Sequence, residues 1–452
     1  MFHHKKNILA SVVFAHLFSL PLIAQAQEVL ATASELPPIQ NEVWNAKLQG
    51  TYIWQKKPSI NSPYAGTNSL LPQSETAYSY TSTAYFGLRL WQGAELYFNP
   101  EATQSVAFST LHGLGGLTNS EQQKGGGAVV KTYVARMYLK QTFGFGGGQD
   151  AVESGQNQLA GMVDKRRLVI TAGKLAVIDI FDNNAYAHDA RTQFTNWAFL
   201  TQGAFDYAAD EKGYTVGIAA EYYFDEWVFR GGRFEVPILS NGPQLDSKLA
   251  TRYGDQIELE HAHTLADQPG KIRLLAFRNR EIMGSFTDAL AYARANGGTP
   301  DVGNVRKDSF KTGYGLNLEQ SLRSDVGMFA RASWSDGKSE TYSFTEIDNS
   351  VSTGIVVKGA RWGRERDSIG LAVAQNGLSK SHRDYLAQGG LGAFLGDGRL
   401  NYKSEKISEL YYNARVIDST SMMFGFQHIV NPGYNADRGP VNVMTVRVHI
   451  EL

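Results

Sequence analysis

The densest run of chemically capable side chains lies between Ala176 and Lys212, AVIDIFDNNAYAHDARTQFTNWAFLTQGAFDYAADEK, where aromatic and charged residues are interleaved. Arg191 carries a rigid planar fork of donors. Asp182 and Asp189, with Glu101 outside the run, can accept, and Tyr186, Phe194 and Trp197 offer flat apolar faces. Such a set can hold a small solute between rings and donors, or its charges can pair with one another and pin a loop. Other runs are chemically weaker. ELEHAH brings Glu258, Glu260, His261 and His263 together, but at strand spacing the histidines share one face and the carboxylates the other. They do not converge on a metal ion, and the histidines read as lipid-interface or loop residues. GFGGGQ and KGGGAVVK are glycine-rich, yet neither has the G-x-x-x-x-G-K-[ST] pattern with a following helix, and both read as flexible connections. There is no G-x-S-x-G, no Ser–His pairing stands out, and the chain has no cysteine.

The elements that must position these groups are strands. The chain closes on VNVMTVRVHIEL, in which Met444, Val446, Val448, Ile450 and Leu452 alternate with Thr445, Arg447, His449 and Glu451. In TAYFGLRLW, Phe86, Leu88 and Leu90 oppose Tyr85 and Arg89. In GMFARASW, Met328, Ala330, Ala332 and Trp334 oppose Arg331 and Ser333. In KTYVARMYLK, Tyr133, Ala135, Met137 and Leu139 oppose Arg136, Tyr138 and Lys140. A period of two argues strand but does not choose between a soluble sandwich and a barrel. The polar face does more: it carries Arg, Lys and Glu beside Tyr, as the wet lumen of an outer-membrane barrel does. Charge on the lipid face at mid-depth costs roughly 2–4 kcal/mol for Arg or Lys, so charges keep to the inward phase. From the wall, that phase offers Arg89, Glu95, Arg136 and Arg167.

Sixteen strands are expected: 45–55, 77–90, 93–101, 131–142, 166–175, 213–224, 226–234, 255–265, 270–279, 310–322, 326–335, 354–364, 368–375, 405–417, 421–430 and 441–452. The count is even, with eighteen left open. WQG, DE, DQPG, SD, RERD and DSTS are tight turns, and between them run long connections such as 56–76, 102–130, 176–212, 280–309 and 376–404. Short periplasmic turns and long external loops are the habit of outer-membrane barrels. Residues 143–165 break the alternation and read as an enlarged periplasmic connection or a miscount. In SFTDALAYARANGG, Ser285 and Asp288 are spaced as a capping box and Gly297 stands at the stop, so a short helix is expected within an external loop. The last strand must pair with the first, because an open edge in lipid leaves backbone groups unsatisfied. Sixteen strands leave a water-filled lumen rather than a packed core.

Compartment and composition agree. MFHHKK followed by an apolar run and AQAQE reads as a secretory signal over 1–26. Residues 27–43 form a short leader, and 44–452 the barrel domain. No later stretch approaches a transmembrane helix. The net charge is −1, or −3 once Lys5 and Lys6 leave with the signal, so no basic excess points to nucleic acid. The distance from Ala26 to the first strand is too short for the plug of an energised transporter.

Several stretches, RLVITAGKLAVIDIFDNNAYAHDARTQFTNWAF, YGDQIELEHAH, GLNLEQSL, ARASWSDGKSETYSFTEID, NGLSKSHRDYL, LGDGRLNYKSEKISELYYNARV and NPGYNADRGPVNVMTVRVHIEL, together resemble the carbohydrate-selective porins of the OprB type. The resemblance runs from about Trp44 to Leu452. It implies a 16-stranded antiparallel barrel of the bacterial outer membrane that admits small sugars, with no cofactor and no catalysis. One departure is the terminal Leu452, where such barrels commonly end on an aromatic.

The resemblance further implies that the 176–212 connection folds back into the lumen to narrow it. A sugar needs planar side chains for its ring and fixed partners for its hydroxyls, which the run supplies. Opposed rings of Arg and carboxylate would set a transverse field across the opening. The expected partners are small carbohydrates, outer-membrane lipid and the barrel-assembly machinery. A homotrimer and a monomer are both left open. The competing readings are a general diffusion pore for small polar solutes, a barrel enzyme, a transporter for hydrophobic solutes and a structural or adhesion protein.

Overall fold

The computed structural model describes residues 41–344 and 346–452. The signal segment 1–26 and the leader up to residue 40 lie outside the described residues.

Sixteen antiparallel strands close on themselves. In chain order they are β1 (Trp44–Lys57), β2 (Glu75–Trp91), β3 (Ala94–Val106), β4 (Gly127–Gly144), β5 (Arg167–Leu175), β6 (Thr215–Phe224), β7 (Trp227–Phe234) and β8 (Tyr253–Leu265). They continue with β9 (Gln268–Met283), β10 (Lys307–Arg323), β11 (Val326–Ser335), β12 (Asn349–Lys358), β13 (Ser368–Gly377), β14 (Glu405–Ile417), β15 (Thr420–Val430) and β16 (Val441–Glu451). Each strand pairs with its sequence neighbours, and β16 returns to β1 from Gln49↔Glu451 to Lys56↔Met444. Leu48 and Leu452 exchange backbone hydrogen bonds of 2.9 and 2.8 Å at the seam. The eighteen-strand alternative is therefore excluded: the remaining short strands form two separate two-stranded sheets outside the wall.

The alternation does what lipid requires. Phe86, Leu88, Leu274, Phe424 and Met444 face outward and are exposed, whereas Arg273, Arg331, Glu409 and Arg447 face inward and are buried. Trp44, Trp91 and Phe143 stand exposed near the ends that carry the short turns, as an interfacial aromatic girdle does.

Three sequence expectations are corrected. Strand twelve runs Asn349–Lys358 rather than 354–364, because Gly359–Trp362 turns back tightly; a Cβ at Gly359 would meet the Arg364 carbonyl oxygen at 1.9 Å. In β4 the inward phase slips. Pro100 of β3 has no N–H for the ladder, and the register passes from Asn99↔Arg136 to Pro100↔Val134, leaving Ala135 as a bulge. Tyr133 consequently points inward, where its hydroxyl reaches Glu101, on the same side as Arg136. The lumen, finally, receives two infolded loops, 176–214 and 107–126, where one was expected.

The misfit 143–165 proves to be an enlarged connection at the short-turn end, running between Gly144 and Arg167. It forms the hairpin Gln149–Val152/Gly161–Asp164, and Glu42 holds it through Ala160 N (2.8 Å) and Ser154 Oγ (2.9 Å). At the opposite end, the helix Phe286–Asn296 starts on Ser285, whose hydroxyl accepts from Asp288 N at 3.2 Å. It packs against the helix Lys380–Ala387 through Phe286, Leu290, Tyr385 and Leu386, and together they roof part of the long-loop end.

Candidate functional site

The connection 176–214 crosses the barrel interior and is bonded to strands on several sides. On one side, Asp182 accepts from Asn317 Nδ2 of β10 (2.6 Å) and faces Arg331 of β11 (3.5 Å). On another, Glu409 of β14 accepts from Thr195 N (2.7 Å), Thr195 Oγ1 (2.8 Å) and Asn196 N (2.9 Å). Arg447 of β16 donates to the carbonyls of Ala190 (2.8 Å) and Gln193 (2.6 Å). The loop lies flat enough that a Cβ at Gly327 would sit 1.9 Å from the Tyr186 ring. Glycine there is what lets the loop approach the wall.

A second long-loop segment, 107–126, descends beside the first. Glu405 at the start of β14 receives Gly115 N (3.0 Å), Gly116 N (2.9 Å) and Gly433 N (2.8 Å). Gln55 and Gln427 donate to Thr118 O at 2.9 and 2.8 Å. This segment includes Lys124, the first residue of KGGGAVVK, whose last five residues, Gly127–Lys131, begin β4.

The two loops meet at Arg191. Its Nε donates to Glu121 (2.9 Å), Nη2 to Glu101 of β3 (2.8 Å), and Nη1 to Gln49 (3.0 Å) and Thr83 (3.1 Å). Burial opposes the Arg191 charge, but Glu121 and Glu101 more than offset it and hold its proton well above the ordinary guanidinium range. Glu121 is itself lowered: burial alone would raise it, and Arg191 and Lys124 outweigh that.

Beside this junction lies a cavity of about 210 Å³. Trp197, Phe344 and Tyr207 make one wall; Trp197 and Phe344 are stacked at 4.5 Å between centroids, and Tyr207 lies 5.0 Å from Phe344. Facing it are Lys124, Arg136, Asp179, Asp189, Tyr85 and Tyr214. Lys124 pairs with Glu121 at 3.2 Å and lies over the Tyr214 ring at 5.3 Å. Arg136 grips Asp179 through two bonds of 2.7 and 2.6 Å. Asp179 is lowered by that guanidinium against the upward push of its burial. The arrangement offers donors, acceptors and an aromatic plate with most charges already paired.

The expected residues divide accordingly. Arg136, Asp189, Arg191 and Trp197 line the cavity. Glu101 sits behind it as a partner of Arg191. Asp182 is wholly buried where the loop meets β10 and β11, and Phe194 packs among Phe199, Phe329 and Tyr411. Tyr186 borders a wider space of about 650 Å³ near the short-turn end. Arg89 and Glu95 pair there at 3.3 Å, with Lys140 2.6 Å from Glu95. Arg167 stacks on Tyr223 at 3.8 Å. Arg89 and Arg136 are thus paired directly with carboxylates, and Arg167 is held against an aromatic ring. Sequence reasoning missed Glu121, Lys124, Asp179, Tyr85, Tyr207, Tyr214 and Phe344. Glu121 and Lys124 stand alone in a long loop, and the pairing of Glu121 with the distant Arg191 leaves no local pattern.

A model of the carbohydrate-selective porins, OprB family, matches residues 85–452. The chain belongs to the OprB family of carbohydrate-selective porins. It is accordingly an outer-membrane sugar channel, and its sixteen-stranded closed barrel is the fold such a channel needs. The high-pH structure of Pseudomonas putida OprB is similar, with a TM-score of 0.70 and 16% identity over 90% of this chain and 94% of that one. The low-pH structure of Pseudomonas putida OprB aligns with a TM-score of 0.48 and 13% identity over 90% of this chain and 92% of that one. At such identities the likeness is one of fold. No curated protein matches the chain.

Proposed function

We propose that this OprB-family porin passes single small sugars of the glucose type by passive diffusion, and that the cavity beside Arg191 is the step at which they are selected. The observation that carries this reading is the pairing of an aromatic plate, Trp197–Phe344–Tyr207, with fixed polar partners across about 210 Å³. That volume is the liquid share of roughly seven waters, which suits one sugar ring rather than a chain of them. A pyranose would lay its C–H face on the plate. Its hydroxyls would exchange with Asp189, Lys124 and Tyr214.

Because Arg136, Arg191 and Lys124 already have carboxylate partners, the site presents polarity with little net field. Such a site suits a neutral solute. The ionic pairs hold the loops, and the remaining donor and acceptor positions face the passenger. Residues 1–26 serve in this reading as the cleaved export signal that delivers the barrel domain to the outer membrane.

Liposome swelling tests the proposal. Vesicles carrying the protein should admit glucose much faster than a disaccharide, and faster than a zwitterionic amino acid of similar size. Equal rates for glucose and the amino acid would make it a general diffusion pore.

A further inference from the structure

On the outer wall, near the long-loop end of β7–β10, lies a group of arginines on the lipid-facing phase. Arg233 binds Asp255 through two bonds of 2.7 and 2.9 Å, and Arg278 reaches the same carboxylate at 2.9 Å. The pairing register sets these three side by side, with Asp255 opposite Arg233 on one side and Arg278 on the other. One step further up, Arg280 donates to Asp308 at 3.1 and 3.0 Å, and Arg252 to the same residue at 2.9 Å. Four guanidiniums therefore share two carboxylates, leaving two positive charges in this network. Glu235, beyond it on the same chain, faces Asp246.

These arginines differ from those in the lumen. The side chains of Arg233 and Arg278 are 43% and 50% exposed, whereas Arg273 and Arg331 inside the barrel are 2% and 1%. Their planes are braced from below: Arg233 lies 3.9 Å over the Tyr253 ring, and Arg280 lies 5.5 Å from the Phe310 ring. Bracing by aromatics leaves the outer edge of each fork free to meet another acceptor.

Directly toward mid-membrane, on the same strands, an open groove of about 720 Å³ is lined by Phe229, Ile257, Leu274, Ala276, Tyr314 and Trp334. Cationic fork above and apolar groove below is the layout of an anionic amphiphile. The patch lies at the end of the wall that carries the long loops, so in an outer-membrane barrel it meets the external leaflet.

We propose that Arg233, Arg278, Arg280 and Arg252 form a docking site for the phosphate of an outer-leaflet glycolipid, with one acyl chain lying in the groove between Phe229 and Trp334. Phosphate, like carboxylate, is bound bidentately by arginine, and it brings the charge that the two aspartates leave uncompensated.

The test is native mass spectrometry of the detergent-purified barrel with diphosphorylated lipid A as the probe. The wild type should retain one lipid A per barrel, and an equal concentration of phosphatidylglycerol should not displace it. Arg233→Gln with Arg278→Gln should weaken retention about thirtyfold. Asp255→Asn, which removes one negative charge from the network, should strengthen it, a gain that misfolding cannot mimic. Glucose permeation should be unchanged in all variants, since none of these side chains enters the lumen. Wild-type retention in the double arginine variant, weaker retention in Asp255→Asn, or equal competition by phosphatidylglycerol would overturn the proposal.

Discussion

Arg191 and Glu101 stand 90 positions apart in sequence and 2.8 Å apart in the structure. Glu101 belongs to the wall, in β3, while Arg191 is carried by the loop that crosses the lumen. Glu121, from the second infolded loop, shares the same guanidinium. One side chain thereby fastens two loops to the barrel and sets one border of the narrow cavity.

Arg191→Ala should loosen that junction, leave Glu101 buried without its paired cation and leave Glu121 with Lys124 alone. Breaking a buried pair costs on the order of 3–5 kcal/mol. The expected outcome is a larger and noisier single-channel current, with a lower thermal unfolding temperature. Arg191→Lys keeps the charge but not the fork, and should fall between the two.

Trp197→Ala should act on the sugar rather than on the loop's anchors. It removes the ring stacked on Phe344, and with it part of the face on which the pyranose would lie, a stacking contact on the order of 0.5–1.5 kcal/mol. The glucose concentration giving half-block of current should rise about three- to tenfold.

Glu405 is the sole acceptor in three of the bonds that hold Gly115, Gly116 and Gly433. Glu405→Ala leaves those backbone donors buried and unpaired, at about 1–3 kcal/mol for each such group. Limited proteolysis should then cut within 107–126 at protease levels that spare the wild type, while the barrel strands stay protected.

His382 gives the long-loop end a pH dependence. Its Nδ1 lies 3.0 Å from Asp348, its Nε2 3.6 Å from Glu346, and its ring stacks on Phe286 at 4.2 Å. Burial disfavours the charged ring, but the two carboxylates more than offset this and raise its pKa to about 9. A raised pKa means the charged form stabilises the folded loops. That contribution is complete below the ordinary value of 6.5 and is lost as pH rises through about 9. Protection factors over 378–401, taken relative to the intrinsic base-catalysed exchange rate, should therefore fall between pH 7 and pH 10, and that fall should be absent in His382→Gln.

Much of the wall was legible because lipid on one side and polar loops on the other impose a period of two. Fifteen of the sixteen strands fall where alternation and turn residues place them, within five positions, and β12 is displaced by five to six. The exceptions have local causes: Pro100 shifts the register opposite Ala135 and turns Tyr133 inward, and the close turn at Gly359 ends β12 early. The site was legible only in part. Aromatics interleaved with charges marked 176–212, yet Asp182 and Phe194 turn out to face the wall and Trp197 the cavity. Which of them does which depends on crossing partners such as Asn317, Tyr411 and Phe344, more than a hundred residues away in sequence. Lys124 and Glu121 carried no periodic signal.

The central claim is that the aromatic and polar cavity beside Arg191 selects sugars. Single-channel current through the purified protein in a planar bilayer, titrated with glucose, tests it most directly. Steady ionic current that glucose blocks in a saturable manner, with the block weakened in Trp197→Ala, is the predicted result. Current that glucose leaves unchanged, or a block equally strong in Trp197→Ala, would contradict it.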